Sequence, residues 1–264
     1  MRELRIVKGD DRYAELAAAV ERHEFDLHFQ PIVRVADGKV VGAEALARWN
    51  HPVQGILGAE AFIDESERNG LIVALGSLLL MDALSQLRAW GERLQGTGFV
   101  LNVNVSVRQF ERPGFAALVL SLLDALEVDP IHLCLEITET AEVVRSIERI
   151  RENLQRLRAH GVGIAVDDFG AGYTSLSMLR ELDISVLKLD RLFVTRLVEI
   201  PHDRKVVAAL LAMARGLDLS VIAEGVETPE QAEILAWITC PLAQGYLYGK
   251  PVPREPFERR HLRR

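Results

Sequence analysis

The sequence predicts an α/β fold, a (β/α)8 TIM-like barrel with one antiparallel strand near the N-terminus. Three observations predict it. Short apolar, β-branched runs alternate with longer stretches of helical period, the pattern of βαβ units. The short runs number eight in 264 residues, which suits a single barrel domain. The first two runs are joined only by Ala36-Asp37-Gly38-Lys39. Asp-Gly favours a hairpin, and so short a link cannot house a parallel crossover.

Taken in order, the strands are expected over 28–35, 40–49, 99–106, 133–138, 163–168, 185–190, 220–225 and 244–248. Helical periodicity fits 12–22, 60–69, 73–94, 115–126, 141–160, 173–182, 204–216 and 229–237. Thr228 is a good N-cap before Pro229, a residue suited to the first helical turn. Met1 to Asp10 lacks the apolar run of a signal peptide. The longest apolar stretch, 71–81, ends at Asp82 and falls short of the roughly 20 residues that span a bilayer. The arginine-rich end, 259–264, reads as a solvated tail. No internal repeat or interdomain linker interrupts the chain, so one domain is expected over 1–264.

Thirty-one basic residues against 38 acidic give a formal charge of −7. That balance argues against a DNA-binding protein. An anionic substrate would need local help from a metal or a few placed cations. Cys134 and Cys240 are the only cysteines, which excludes a disulfide framework and a Cys-rich zinc module. The chain therefore reads as cytoplasmic.

The informative feature is where polar residues fall on the strands. By the two-residue period, Gly42, Glu44, Leu46 and Arg48 share one face, and Ala43, Ala45, Ala47 and Trp49 the other. Asn102, Asn104 and Ser106 share a face of the third strand. Glu136 lies on the fourth, Asp167-Asp168 ends the fifth, Lys188 lies on the sixth, Glu224 on the seventh, and Gln244 begins the eighth. Parallel strand ends converge on one mouth of such a barrel. Carboxylates gathered there repel in low dielectric, and a cation relieves them. All-oxygen ligands favour Mg2+, Mn2+ or Ca2+, and the histidines form no HxH or HExxH pair.

Each residue also has a plainer reading when taken alone. Glu44 could pair with Arg48, Asn104 could satisfy loop backbone, Asp167-Asp168 could cap a loop, and Lys188 could sit in a structural ion pair. Their joint placement at one end of seven strands points to a site. Gly170-Ala171-Gly172 has Ser175 where a dinucleotide fingerprint needs its third glycine, and no P-loop or G-x-S-x-G elbow occurs.

Several separated motifs in order resemble EAL domains, bacterial cyclic di-GMP phosphodiesterases. These are Gln30-Pro31-Ile32-Val33, Glu44-Ala45-Leu46-Ala47-Arg48-Trp49, Asn104-Val105-Ser106 and Glu136-Ile137-Thr138-Glu139-Thr140. Asp167-Asp168-Phe169-Gly170-Ala171-Gly172-Tyr173, Leu187-Lys188-Leu189-Asp190, Ala223-Glu224-Gly225-Val226-Glu227-Thr228 and Gln244-Gly245-Tyr246 complete the set. The likeness covers about 13–253. It implies that Glu44, Asn104, Glu136 and Asp167 are direct metal ligands, that Asp168 serves a second metal, and that Glu224 is a metal-site carboxylate and candidate base. Lys188 is implied to hold the attacking water. Gln30, Leu46, Arg48 and Gln244 match substrate-contacting positions, and Glu139 matches the anchor of the loop 168–175. The resemblance further implies two Mg2+ or Mn2+ ions with inhibition by Ca2+, hydrolysis of cyclic di-GMP to linear pGpG, and a homodimer, with a sensor domain possible in a longer parent chain. The alternative is a module that binds cyclic di-GMP without cleaving it.

Overall fold

A computed structural model of the chain describes residues 9–94, 96–138, 141–170, 179 and 182–262. Eight strands close a barrel: β1 (Phe25–Arg34), β2 (Val40–His51), β4 (Val100–Asn104), β5 (Leu133–Thr138), β6 (Gly163–Phe169), β7 (Val186–Leu189), β8 (Ser220–Ala223) and β9 (Leu242–Gln244). A short additional strand, β3 (Gly55–Leu57), pairs only with the far end of β2. The strand that runs backwards is β1. It is antiparallel to β2 through the Asp-Gly hairpin, and antiparallel to β9 on its other side, while the ladders from β2 through β4 to β9 are parallel.

Around the wall lie α1 (Gly9–Glu21), α2 (Ile63–Asn69), α3 (Ile72–Leu94), α4 (Val107–Phe110), α5 (Phe115–Ala125), α6 (Ala141–Ala159), α7 (Arg191–Thr195), α8 (Pro201–Gly216), α9 (Pro229–Trp237) and α10 (Arg254–His261). The alternation of each strand sets the core. Leu133, Leu135 and Ile137 of β5 are buried beneath helices while Glu136 turns inward, and Ala43, Ala45 and Trp49 do the same behind Glu44. The Thr228 cap forms as read: the Gln231 backbone N–H donates to its hydroxyl and the Thr228 N–H donates back to the side-chain Oε1 of Gln231. Residues 72–91 of α3 match a membrane span in length and apolarity, and Leu75, Leu80, Leu84 and Trp90 of that helix are buried in the barrel core.

Three expectations need correction. The eighth strand is Leu242–Gln244 rather than 244–248. At Gly245 the chain crosses the backbone of Val226 so closely that a Cβ would lie 2.1 Å from the Val226 carbonyl oxygen. The ladder ends there, and the chain turns through hydrogen bonds from Tyr248 and Gly249 to the Gly245 carbonyl. The arginine-rich end is not a solvated tail as far as Leu262. Helix α10 seats Phe257, fully buried, against Trp90 at 5.4 Å and Phe29 at 5.9 Å between ring centroids. Trp90 Nε1 donates to Glu258 Oε1 at 2.9 Å and locks the helix onto α3. The charged residues on either side of Phe257 mask this apolar anchor in the sequence. The last correction is that β3, α4, α7 and α10 had no counterpart in the expected elements. They are short, and neither period shows in so few residues. The expected helix over 173–182 falls almost wholly outside the described residues.

Phe257→Ala should lower the unfolding free energy by about 3–5 kcal/mol, the cost of an aromatic cavity in a packed core. Denaturant titration measures it, and a loss below about 1 kcal/mol would mean that α10 does not belong to the core.

Candidate active site

At the mouth, four carboxylates from β2, β5, β6 and just beyond β8 surround one ammonium. Lys188, at 0% exposure, projects from β7 into the barrel axis. Its Nζ lies 2.8 Å from Glu136 Oε2 on β5, 2.8 Å from Glu224 Oε1 just beyond β8, 3.1 Å from Asp167 Oδ1 on β6 and 3.4 Å from Glu44 Oε2 on β2. The parallel register sets these heights, since Glu44 stands beside Asn102, and Asn104 beside Glu136. Amides hold both oxygens of Glu44 and the second oxygen of Glu136. Asn104 Nδ2 donates to Glu44 Oε1 at 2.8 Å, Asn102 Nδ2 to Glu136 Oε1 at 2.7 Å, and Gln244 Nε2 to Glu44 Oε2 at 2.7 Å. Gln244 Nε2 also donates to Gln30 Oε1 at 3.0 Å, and Gln30 Nε2 to the Gly249 carbonyl at 3.2 Å.

Asp167 and Asp168 are adjacent, so strict alternation would send one of them out of the mouth. A bulge prevents that. Between the pairs Val166–Leu187 and Phe169–Leu189, β6 advances three residues while β7 advances two. Asp168 takes the extra place at φ 54°, the left-handed region that aspartate tolerates better than most side chains. Both carboxylates then border one cavity.

Burial and crowding set the protonation. Burial pushes Glu136 well above the usual carboxylate range, with Lys188 opposing and the charges of Glu44 and Asp167 adding to it. Burial lifts Glu224 to about 8 against the pull of Lys188. Burial, then repulsion from Asp167 and Asp190, lifts Asp168 to about 6. Burial also opposes ionisation of Glu44, but Lys188 and the hydrogen bonds from Gln244 and Asn104 outweigh it and lower its pKa. Burial would lower Lys188, and the surrounding carboxylates overcome it, so the ammonium stays charged.

Five carboxylates therefore share one ammonium, and the excess is negative. Glu44, Glu136 and Asp167 each bring an oxygen into a group whose members all lie within 4.8 Å of one another, and so do Asp167, Asp168 and Glu224. Asp167 belongs to both groups, so one carboxylate can serve two neighbouring cations. The donors are all oxygen, with the Asn104 amide beside them, which suits a hard divalent ion.

A cavity of about 320 Å3 opens over this cluster, bordered by Gln30, Glu44, Leu46, Asp167, Asp168, Glu224 and Gln244. A more apolar cavity of about 410 Å3 adjoins it, sharing Glu44, Leu46, Asp167 and Asp168 and walled by Ile63, Ile72 and Val103. Of the expected site residues, Arg48 stands apart. Its Nη1 folds back onto the Ala47 carbonyl at 2.8 Å, it borders neither cavity, and it does not pair with Glu44. Glu139 and the loop residues 171–175 lie outside the described residues. The sequence reading gave no role to Asn102, which clamps Glu136, nor to Asp190, Arg191, Glu227 and Tyr246, which border the polar cavity. Asn102 was signalled by its place two residues before Asn104. The other four lie at or beyond strand ends, where alternation gives no direction.

A family model described as EAL domain matches residues 14–251. The chain belongs to the EAL domain family. This EAL domain is 40% identical over 243 residues to a Pseudomonas aeruginosa protein named bifunctional diguanylate cyclase/cyclic di-GMP phosphodiesterase MucR, covering 91% of this chain and 35% of that protein. It is 41% identical over 251 residues to cyclic di-GMP phosphodiesterase NbdA of the same organism, covering 92% of this chain and 31% of NbdA. The chain thus spans about a third of the length of these curated relatives. Among solved structures, "PaMucR Phosphodiesterase, c-di-GMP complex" superposes with a TM-score of 0.86 at 39% identity, covering 93% of this chain and 99% of that one. The cAMP- and cyclic-di-GMP-bound form of the EAL enzyme Bd1971 superposes with a TM-score of 0.89 at 31% identity, covering 96% and 70%.

The raised carboxyls give a pH signature. Glu136, Glu224 and Asp168 resist ionisation when folded, so without a divalent ion their contribution to stability falls as pH rises from the ordinary carboxylate range towards about 6 for Asp168 and about 8 for Glu224. Lys188 is protonated throughout that window and adds no slope. A bound cation favours the ionised forms, so the rise in melting temperature on adding Mn2+ should be larger at pH 8 than at pH 6. Thermal unfolding with and without EDTA measures it, and an equal or smaller rise at pH 8 would contradict the assignment.

Proposed function

We propose that this EAL domain hydrolyses one phosphodiester of cyclic di-GMP, releasing linear pGpG, with two Mg2+ or Mn2+ ions held at the barrel mouth. One observation carries the reading: two carboxylate groups joined by Asp167 at the floor of a cavity, in a member of the EAL family. The phosphodiesterase names of MucR and NbdA support it. Glu44, Asn104, Glu136 and Asp167 would hold one ion, and Asp167, Asp168 and Glu224 the other. Bound there, the ions would supply Lewis-acid chemistry, lowering the pKa of water and neutralising phosphate charge.

The protein's own groups do the rest. Gln30, Leu46 and Gln244 border the cavity and fix the substrate. Arg48, swung from Ala47, offers phosphate a directional cationic donor. Lys188 keeps Glu224 within 2.8 Å and presents N–H donors that orient the attacking water. Glu224 has 19% of its side chain exposed, against 0% for Glu136, so it faces the cavity and accepts the proton of that water. The water oxygen then bonds to phosphorus in line with the ribose 3′ oxygen, the P–O3′ bond breaks, and the 3′ oxygen leaves as a hydroxyl after taking a proton from solvent water, while Glu224 returns the proton it accepted to solvent.

We also infer a homodimer, a regulatory or sensor domain in a longer parent chain, and a cytoplasmic setting in keeping with the buried free thiols of Cys134 and Cys240.

Purified protein incubated with cyclic di-GMP should give pGpG in Mg2+ or Mn2+ and none in EDTA. Tight binding without turnover in either ion would favour a sensor module. Asp167→Asn should abolish turnover while leaving the folded baseline in circular dichroism intact, and near-normal activity would show that the ligand assignment is misplaced. Ca2+, larger and tolerant of looser geometry, should inhibit, and activation by Ca2+ would count against a tightly aligned pair of ions.

A further inference from the structure

Beyond Ala45, strand β2 leaves the barrel wall. Its ladder with β4 ends at Ala45, whereas its pairing with β1 continues to Trp49 and its far end takes on β3. Leu46 and Arg48 therefore ride on a ribbon projecting past the wall. A two-stranded ribbon is marginally stable alone, so its position depends on what backs it.

The backing is Phe62, edge-on to Phe25 at 5.1 Å and to Trp49 at 6.3 Å, together with helix α1. Trp49, next to Arg48 but on the opposite face, is fully buried. Phe25 stacks on it at 5.6 Å, and the Arg12 guanidinium of α1 lies over its ring at 5.0 Å. Arg12 also donates to the Ala61 carbonyl at 2.9 Å and to Glu15 at 2.7 Å. Two residues further along β2, His51 is 7% exposed. Its Nδ1 accepts from the N–H groups of Val53 and Gln54, both at 3.1 Å, which pins the turn into β3. An Nδ1 that accepts carries no proton, so Nε2 bears it and donates to Glu15 Oε1 at 2.9 Å. Burial works against ionisation of Glu15, and the hydrogen bonds from His51 and Arg12 outweigh it, so an anion receives both donors. None of these groups has a part in the chemistry at the mouth.

We propose that His51 and Glu15 are positioning residues: by clasping helix α1 behind the β2 ribbon, they hold Arg48 where it can reach the substrate. This rests on the reading of Arg48 as a substrate contact. The metal-site carboxylates stand on the closed wall and do not depend on the clasp. Loosening α1 therefore weakens substrate binding and spares both metal binding and the chemical step.

The test uses Glu15→Ala, Glu15→Gln and His51→Ala in the full chain, alone and combined with Arg48→Ala. KM and kcat for cyclic di-GMP are measured beside the Mn2+-induced rise in melting temperature. Glu15→Ala and His51→Ala should raise KM roughly three- to tenfold, with kcat and the Mn2+ effect little changed. Glu15→Gln keeps an acceptor for Nε2–H and should restore KM towards that of the parent. In the Arg48→Ala background, Glu15→Ala should raise KM by less than it does in the parent, the remainder acting through Leu46 on the same ribbon. Should His51→Ala fail to fold, the two Glu15 variants, at a partly exposed helix position, carry the test alone. A fall in kcat with KM unchanged overturns the proposal, as does an equal rise in KM with and without Arg48. Metal-dependent turnover with an unchanged KM in Arg48→Ala would remove Arg48 as a contact and the proposal with it, leaving the phosphodiesterase reading intact. In an inactive protein, Kd for cyclic di-GMP in Ca2+ reads the same comparison, so loss of turnover does not hide the outcome.

Discussion

The ammonium of Lys188 sits without solvent exposure among Glu44, Glu136, Asp167 and Glu224, between 2.8 and 3.4 Å from each. A group of carboxylates this tight could not be gathered inside a low-dielectric barrel without a buried cation, because each would be driven to protonate. One lysine cannot neutralise them all. It lets the cluster exist and leaves it short of positive charge, which is the condition for attracting divalent ions. Arginine could not replace it there. The planar fork would demand paired carboxylates on one edge, whereas the compact ammonium reaches acceptors on four sides.

The amide side chains extend the same logic. Asn102, Asn104 and Gln244 each direct an N–H at a carboxylate oxygen, so orientation is set before any ligand arrives. These amides stand on strands of fixed register. A one-residue slip in any strand would turn its polar group under the helices, so sheet pairing and chemistry are one constraint. The bulge at Asp168 is the exception that the site needs, with local backbone strain exchanged for a second inward carboxylate.

Most of the architecture was legible in the sequence because barrels write themselves in two periods. Alternation put Glu44 on one face with Leu46 and Arg48, strand position alone brought Glu136 and Lys188 to the same mouth, the Asp-Gly link announced the reversed β1, and Thr228-Pro229 marked a helix start to the residue. What stayed hidden has specific causes. The end of β9 is decided by the Gly245–Val226 backbone crossing, a contact between distant segments. Helix α10 hides one anchoring phenylalanine among arginines. The direction of Asp168 comes from a bulge, which breaks the rule used to read it. Alternation groups Arg48 with Glu44, but its side chain folds onto Ala47, and no local pattern encodes that rotamer.

The reversed first strand bears on how the domain is made. Its two neighbours in the wall are β2, next in sequence, and β9, some 200 residues downstream. During synthesis the early hairpin can form at once, but the wall stays open until Leu242–Gln244 has cleared the ribosome. Gln244, which ties Glu44 to Gln30, arrives with that last stave. A nascent chain therefore carries its acidic residues on an unfinished sheet, and the mouth closes around them only once β9 has been made.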